Sequence, residues 1–249
     1  MPLGHVEAGL RTGRDDTPFP EELHRVLTAR LARWHFAPTG TAASRLRAEG
    51  IAPDRIHVTG STAVDALLSA GLPTPPAPGR LLVLATAHRR ESLGPPLDRI
   101  CEALRQVAAL HPEADVAFVV HPSPAVRATV DRCLGPDSGV RLLAPLGYPD
   151  FIGLKRQAHV ILTDSGGIQE EAPALGKPVL VLRDASDRPE AVAVGAAQVV
   201  GTEVAAIVAA TRRLLLDPVA HAAMAQPRFP YGEGGAAARI VAVLRAELQ

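Results

Sequence analysis

A polar turn between two apolar runs has the residue types of a phosphate-binding site. Residues 163–171 read Thr-Asp-Ser-Gly-Gly-Ile-Gln-Glu-Glu. Ser165 is a good helix N-cap, and Gly166 and Gly167 let the backbone turn tightly and approach a ligand. A helix that begins here presents unpaired backbone N–H groups and a positive dipole end, so it could hold a diphosphate without a metal. A helix start with no ligand is the alternative interpretation.

Two further clusters carry side chains suited to the same anion. Residues 85–94 read Ala-Thr-Ala-His-Arg-Arg-Glu-Ser-Leu-Gly, where His88 could donate to a phosphate or transfer a proton and the arginines add forked donors. Residues 183–190 read Arg-Asp-Ala-Ser-Asp-Arg-Pro-Glu, where Arg188 is placed to meet a sugar or phosphate. The alternatives are a structural histidine and a solvated turn of alternating charges.

Two carboxylates near the N-terminus are candidates for acid–base chemistry. Glu7 follows a short apolar segment, and Glu21 follows Pro20 at the start of a helical pattern. Both lie at the ends of elements, where loops carry chemistry in α/β proteins. The alternatives are an ion pair between Glu7 and Arg11 and a helix-dipole contact for Glu21.

Alternating strands and helices must position these groups. Short apolar runs predict strands at 81–85, 116–120, 140–143, 159–162 and 178–182, and helical patterns lie near 97–110 and 125–134. One more helix follows Ser165, has Glu170 and Glu171 in its first turns, and is closed by Gly176. This alternation predicts a doubly wound α/β domain whose functional segments all follow strands and so meet at one edge of the sheet.

A proline-rich stretch at residues 71–79 predicts a linker between two domains. We expect residues 1–70 to be the C-terminal part of a first Rossmann-type domain and residues 80–249 to be a nucleotide-binding Rossmann-type domain, with a C-terminal helix that packs back on the first. Before the linker, strands are predicted at 2–5, 34–37 and 56–59 and helices near 21–32 and 39–49. These elements are too few for a complete doubly wound domain.

Composition excludes several classes of protein. Lys+Arg and Asp+Glu both number 26, so no basic excess points to nucleic acid or to an anionic membrane. No apolar run approaches the ~20 residues of a membrane span, and a secretory signal pattern is absent, which predicts a cytoplasmic protein. Cys101 and Cys133 lack the spacing of a metal site and are expected to be reduced thiols.

Together these motifs closely resemble the non-hydrolysing UDP-N-acetylglucosamine 2-epimerases. The resemblance covers nearly the whole chain. Its most specific part is residues 164–184, and it also includes His-Val-Glu-Ala-Gly-Leu-Arg at 5–11, residues 58–67, His-Arg-Arg-Glu-Ser at 88–92 and Pro-Tyr-Gly-Glu-Gly at 230–234. It implies a GT-B-like pair of Rossmann-type domains, a homodimer, and UDP-N-acetylglucosamine or UDP as ligand, without metal or cofactor.

The resemblance also assigns roles to individual residues. It implies that Glu7, Glu21 and His88 are catalytic. It implies that Glu171 accepts hydrogen bonds from the ribose and that Phe151 lies near the uracil. The residues expected to hold UDP are His88, Phe151, Ser165, Gly166, Gly167, Glu171 and Arg188.

The implied reaction makes physical sense for an N-acetylated sugar. No carbonyl acidifies the C2–H bond, and no GxGxxG fingerprint supplies a nicotinamide. Departure of UDP from C1 develops positive charge there, so a carboxylate can remove the C2 proton and leave a 2-acetamidoglucal-like intermediate. UDP then adds again after protonation from the other face. Surface polysaccharide synthesis is the expected use.

The family's opening strand with a Gly-Thr-Arg-Pro-Glu loop, and a later His-Gly-Asp segment with another catalytic carboxylate, are not found in this sequence. We therefore expect an N-terminally truncated member of the family with an incomplete first domain. The alternatives are a hydrolysing epimerase, a GT-B glycosyltransferase, and an inactive UDP-sugar-binding fragment. The identity of the product separates them.

Overall fold

A computed structural model describes residues 2–14, 18–71 and 79–248. The chain consists of two compact units, one of Met1–Gly71 with Phe229–Gln249 and the other of Leu72–Arg228. The proline-rich linker was predicted at 71–79, and its residues 72–78 lie outside the described residues. No helix among the described residues is long and apolar enough to cross a membrane.

Strands and helices alternate along the described chain, which confirms the α/β class. In chain order they are β1 (Gly4–Val6), α1 (Glu21–Leu31), β2 (Trp34–Ala37), α2 (Gly40–Ala48), β3 (Ile56–Val58), α3 (Thr62–Ser69), β4 (Leu81–Thr86), α4 (Pro95–Leu110), β5 (Ala114–Val119), α5 (Pro124–Cys133), β6 (Val140–Leu143), α6 (Tyr148–Gln157), β7 (Ala158–Thr163), α7 (Gly166–Ala174), β8 (Val179–Val181), α8 (Pro189–Ala193), β9 (Ala197–Val199), α9 (Val204–Leu216), α10 (Pro218–Met224) and α11 (Ala236–Glu247).

The first unit contains a three-stranded parallel sheet in the order β1-β2-β3. Gly4 lies opposite Trp34, and His35 lies opposite Ile56. The prediction for β2 is confirmed to the residue, whereas β1 begins at Gly4 rather than at the predicted position 2. Trp34 and Phe36 of β2 pack with Ile240 of α11, which belongs to the same unit.

The second unit contains a six-stranded parallel sheet in the order β6-β5-β4-β7-β8-β9. Every strand pair is parallel, as expected for strands that are buried on both faces. Counted within this unit, the order is 3-2-1-4-5-6, the order of a Rossmann-type domain. The strand order reverses between β4 and β7, and ligands of such folds bind at the carboxyl ends of the strands beside that point.

Two free thiols lie on neighbouring helices of the second unit. Cys101 of α4 is buried and Cys133 of α5 is half-buried, and neither forms a disulfide. Burial raises the pKa of the Cys101 thiol to about 12, so this thiol is inert at neutral pH. The prediction of reduced thiols is confirmed.

Candidate functional site

The polar segments of the second unit follow adjacent strands at the point where the strand order reverses. His88 follows β4, Ser165 follows β7, and Arg188 lies in the loop after β8. Because parallel strands end at the same edge of a sheet, these segments converge. This edge of the second unit is the candidate site.

The N-terminus of α7 lies between two guanidinium groups. Gly166 is the first helical residue, and a Cβ at this position would stand 3.1 Å from Nη2 of Arg188 and 3.4 Å from Nη2 of Arg89. The missing side chain thus lets two cations approach the free N–H groups of the first turn. An anion is the ligand that such a concentration of donors and positive charge favours.

The capping role predicted for Ser165 is wrong in one respect. Ser165 occupies the N-cap position, but its side chain makes no capping hydrogen bond. Its backbone N–H instead donates to Oγ1 of Thr163 at 3.0 Å. The Ser165 hydroxyl therefore does not occupy the N–H groups of the first turn, which stay open to a ligand.

Arg188 belongs to a buried charge network and not to the solvated turn that was one interpretation of its segment. It is 4% exposed and pairs with Glu170, and its Nη1 lies 2.9 Å from Oδ2 of Asp187. Arg183 extends the network with contacts of 3.1 Å to Asp187 and 3.0 Å to Glu91. Glu170 lies in the first turns of α7, as expected, and serves there as the counter-ion that orients Arg188.

Asp164 ties the β4 loop to the start of α7, and the sequence analysis missed it. This carboxylate is fully buried, and its Oδ2 accepts hydrogen bonds from the backbone N–H of His88 at 2.7 Å, the N–H of Arg89 at 2.7 Å and the Ser92 hydroxyl at 2.8 Å. An acid directly after a buried strand at the functional edge was the available signal.

His88 is half-buried above this carboxylate. Its Nδ1 lies 3.6 Å from Oδ1 of Asp164, and its ring stacks on His121 with centroids 5.1 Å apart. Burial lowers the pKa of His88, and the Asp164 carboxylate opposes this effect. His121 follows β5 at the same edge and is a second residue that the sequence analysis did not select.

Glu171 lies in a buried cluster under two aromatic rings of α6. Its Oε1 accepts from the Tyr148 hydroxyl at 2.8 Å, and its Oε2 pairs with Lys155, which is fully buried. The Lys155 ammonium lies 5.0 Å from the centre of the Phe151 ring and 5.5 Å from that of Tyr148. Glu171 thus neutralises a buried cation, and α6, which was not predicted, carries the aromatic side chains.

The two carboxylates proposed as catalytic belong to the first unit. Glu7 follows β1 with a φ of 61°, a conformation that a residue with a side chain rarely adopts. Glu21 is the first residue of α1, and its Oε2 is buried without a hydrogen-bond partner among the described residues. Such strain and such an unpaired acceptor are features that functional positions often show.

The suggested ion pair between Glu7 and Arg11 is not formed. Arg11 instead makes two hydrogen bonds with Glu49 of the segment after α2, at 2.8 and 2.9 Å. The Glu7 carboxylate is therefore not committed to this arginine.

Comparison with known proteins identifies close relatives. A family model described as UDP-N-acetylglucosamine 2-epimerase matches residues 1–245. The chain is 46% identical to a probable UDP-N-acetylglucosamine 2-epimerase of Ralstonia solanacearum, over 99% of this chain and 70% of that protein. It is 45% identical to the UDP-N-acetylglucosamine 2-epimerase of Escherichia coli K12, over 98% of this chain and 69% of that protein.

A solved structure has the same fold. The crystal structure of UDP-GlcNAc 2-epimerase from Neisseria meningitidis, bound to UDP-GlcNAc, superposes with a TM-score of 0.93. Its sequence is 40% identical, and the match covers 98% of this chain and 70% of that one. The fold derived from the strand order therefore agrees with the fold of this relative.

Proposed function

Because the chain belongs to the UDP-N-acetylglucosamine 2-epimerase family, we propose that it interconverts UDP-N-acetylglucosamine and UDP-N-acetylmannosamine. The observation that carries the proposal is the pair of guanidinium groups, from Arg89 and Arg188, at the open N-terminus of α7. A UDP-sugar carries its negative charge on the diphosphate, and this is the charge that must be stabilised when UDP departs.

The diphosphate is proposed to lie over residues 165–167. The Ser165 hydroxyl and the backbone N–H groups of Gly166 and Gly167 would donate to its oxygens, while Arg188 and His88 provide positive charge or hydrogen bonds. Donors that are already in place need no reorganisation as charge develops on the leaving group, so they favour its departure.

The uridine is proposed to extend from the diphosphate toward α6. Phe151 and the half-exposed Tyr148 provide aromatic surface for the uracil ring. Glu171 was expected to accept hydrogen bonds from the ribose, and a carboxylate oxygen has a second lone pair beyond its bond to Tyr148 or Lys155. The ribose contact is therefore compatible with the buried cluster and remains a proposal.

The proposed chemistry is elimination followed by re-addition. The C1–O bond to UDP breaks, a carboxylate takes the C2 proton, and a 2-acetamidoglucal-like alkene remains. A proton is then delivered to the opposite face of C2 and UDP adds to C1, so atoms and charge balance without a redox cofactor. Glu7 and Glu21 are the proposed acid and base. Cytoplasmic location, a homodimer and a part in surface polysaccharide synthesis remain predictions.

Product analysis tests the proposal. The protein is incubated with UDP-N-acetylglucosamine, and the nucleotide sugars are separated from free sugars by anion exchange. We expect UDP-N-acetylmannosamine, with at least a hundredfold lower rate for Glu7→Gln. Glu102→Gln on α4, at a half-buried surface position, is the matched control and should leave the rate unchanged. Release of free N-acetylmannosamine and UDP, or turnover that needs a sugar acceptor, would refute it.

A further inference from the structure

Among the described residues, only one of the two oxygens of the Asp164 carboxylate accepts hydrogen bonds. Its Oδ2 accepts three hydrogen bonds, from two backbone N–H groups and the Ser92 hydroxyl. Its Oδ1 is buried and has no hydrogen-bond partner among the described residues. A buried carboxylate oxygen without a donor is costly, so a donor close to Oδ1 is to be expected.

His88 is the donor that the geometry offers. Its Nδ1 lies 3.6 Å from this same Oδ1, slightly beyond hydrogen-bond range. Contacts of this kind are often long without ligand and shorten once a ligand is bound. The bonds from the backbone of His88 and Arg89 to Oδ2 already keep the ring close, so a small rotation completes the contact.

The geometry points to Asp164 as the residue that holds His88 in its Nδ1–H tautomer, with Nε2 left to meet the diphosphate. Nε2 makes no hydrogen bond with any described residue. In this arrangement Nε2 receives a proton and then donates to the anion, while Asp164 stabilises the imidazolium behind it. Asp164 is thus a positioning residue. The identity of the ligand rests on the proposed function, whereas the tautomer of His88 does not depend on it.

The charges around the ring decide the sign of the pH effect. Asp164 and Glu91 raise the pKa of His88, while burial, His121 and Arg89 lower it. Removing the Asp164 charge therefore lowers the pKa of His88 further. The imidazolium form of His88 would then lose its proton at a lower pH than in the unaltered protein.

The variant Asp164→Asn distinguishes a role of Asp164 in positioning His88 from a role in packing alone. The asparagine oxygen can still accept from His88 N–H, Arg89 N–H and Ser92, while its NH₂ group then faces Nδ1 of His88. Because that NH₂ is a donor, Nδ1 must become the acceptor, and the ring changes to the Nε2–H tautomer. A loss of packing alone would not reverse the tautomer. Ser92→Ala is the matched control, since it removes one donor to Asp164 but leaves the charge and Oδ1.

The test is ¹⁵N NMR of the imidazole nitrogens over a pH titration, in the protein without substrate, with His88 assigned by His88→Gln. We expect Nδ1–H in the unaltered protein and in Ser92→Ala, and Nε2–H with a lower pKa in Asp164→Asn. Nε2–H in the unaltered protein, or an unchanged tautomer in Asp164→Asn, would overturn the inference. If Asp164→Asn does not fold, the tautomers observed in the unaltered protein and in Ser92→Ala decide whether the inference holds. UDP-sugar turnover is assayed separately. If the protein has the Nδ1–H tautomer but shows no turnover, only the proposed function is contradicted.

Discussion

Arg188 lies so close to Gly166 that a side chain at position 166 would require the guanidinium to shift. Its Nη2 and Cζ atoms lie 3.1 and 3.2 Å from the place where a Cβ of residue 166 would stand. The guanidinium pairs with the buried Glu170, which opposes its displacement. Glycine at position 166 thus leaves room for a cation at the helix N-terminus, in addition to any close approach of a ligand.

Gly166→Ala should weaken UDP binding because the new methyl group displaces Arg188 or Arg89. We expect a loss of at least tenfold in affinity by isothermal titration calorimetry, with a small loss of stability. Gly153→Ala on α6 is the matched control, because its Cβ would meet nothing within 4 Å. Equal UDP affinity in Gly166→Ala and the unaltered protein would contradict this account of the site.

Arg89→Gln should weaken UDP binding while leaving the fold intact. The Arg89 guanidinium approaches Gly166, whereas the adjacent Arg90 is exposed. Loss of one charge-assisted contact to a diphosphate corresponds to about 1.5–3 kcal/mol, or roughly tenfold to a hundredfold in affinity. Arg90→Gln is the control and should bind UDP like the unaltered protein. Equal losses in the two variants would indicate a general charge effect instead of a specific contact.

Most of the strands were predictable because buried parallel strands are continuous apolar runs, whereas the three-residue β9 was not predicted. Both β2 and β6 match their predicted bounds. Helix α6 was missed because its first turn contains Pro149 and it includes Gly153, and both residues are typical of turns. Helix α3 was also missed, although Ser61 caps it through bonds to Ala63 and Val64. It has only eight residues, so its helical periodicity is too short to stand out in the sequence.

The predicted phosphate turn lies where a ligand of this fold binds, but its partners were not predictable. The bonds between Asp164 and the β4 loop join residues more than 70 positions apart, and the pair of Glu171 and Lys155 spans 16 positions. No local pattern in the sequence records such contacts. Glu171 was therefore assigned to a ligand while its contact with a buried lysine went unrecognised.

Glu171→Gln should strongly destabilise the protein because Lys155 would lose its buried counter-ion. Breaking a buried ion pair by removing one partner costs about 3–5 kcal/mol. Tyr148→Phe removes only one hydrogen bond to the same carboxylate and should cost about 1 kcal/mol. Urea unfolding at neutral pH measures both. If Glu171→Gln were as stable as Tyr148→Phe, the carboxylate would not be neutralising Lys155.

The first unit should lose stability on acidification through His5. Burial, and then the neighbouring His35, lower the pKa of His5 to about 4, below the 6.5 that is usual for histidine. Between these values the unfolded chain binds the proton more tightly than the folded one, so stability falls as pH drops from 6.5 toward 4. We expect His5→Gln to show a smaller decrease in melting temperature over this range. The exposed His24→Gln is the control and should follow the unaltered protein.

The central claim is that the site expels UDP and lets the C2 proton exchange. The most direct measurement is ¹H NMR of UDP-N-acetylglucosamine incubated with the protein in D₂O. We expect UDP-N-acetylmannosamine with deuterium at C2. Epimerised product that keeps its original C2 hydrogen would contradict it.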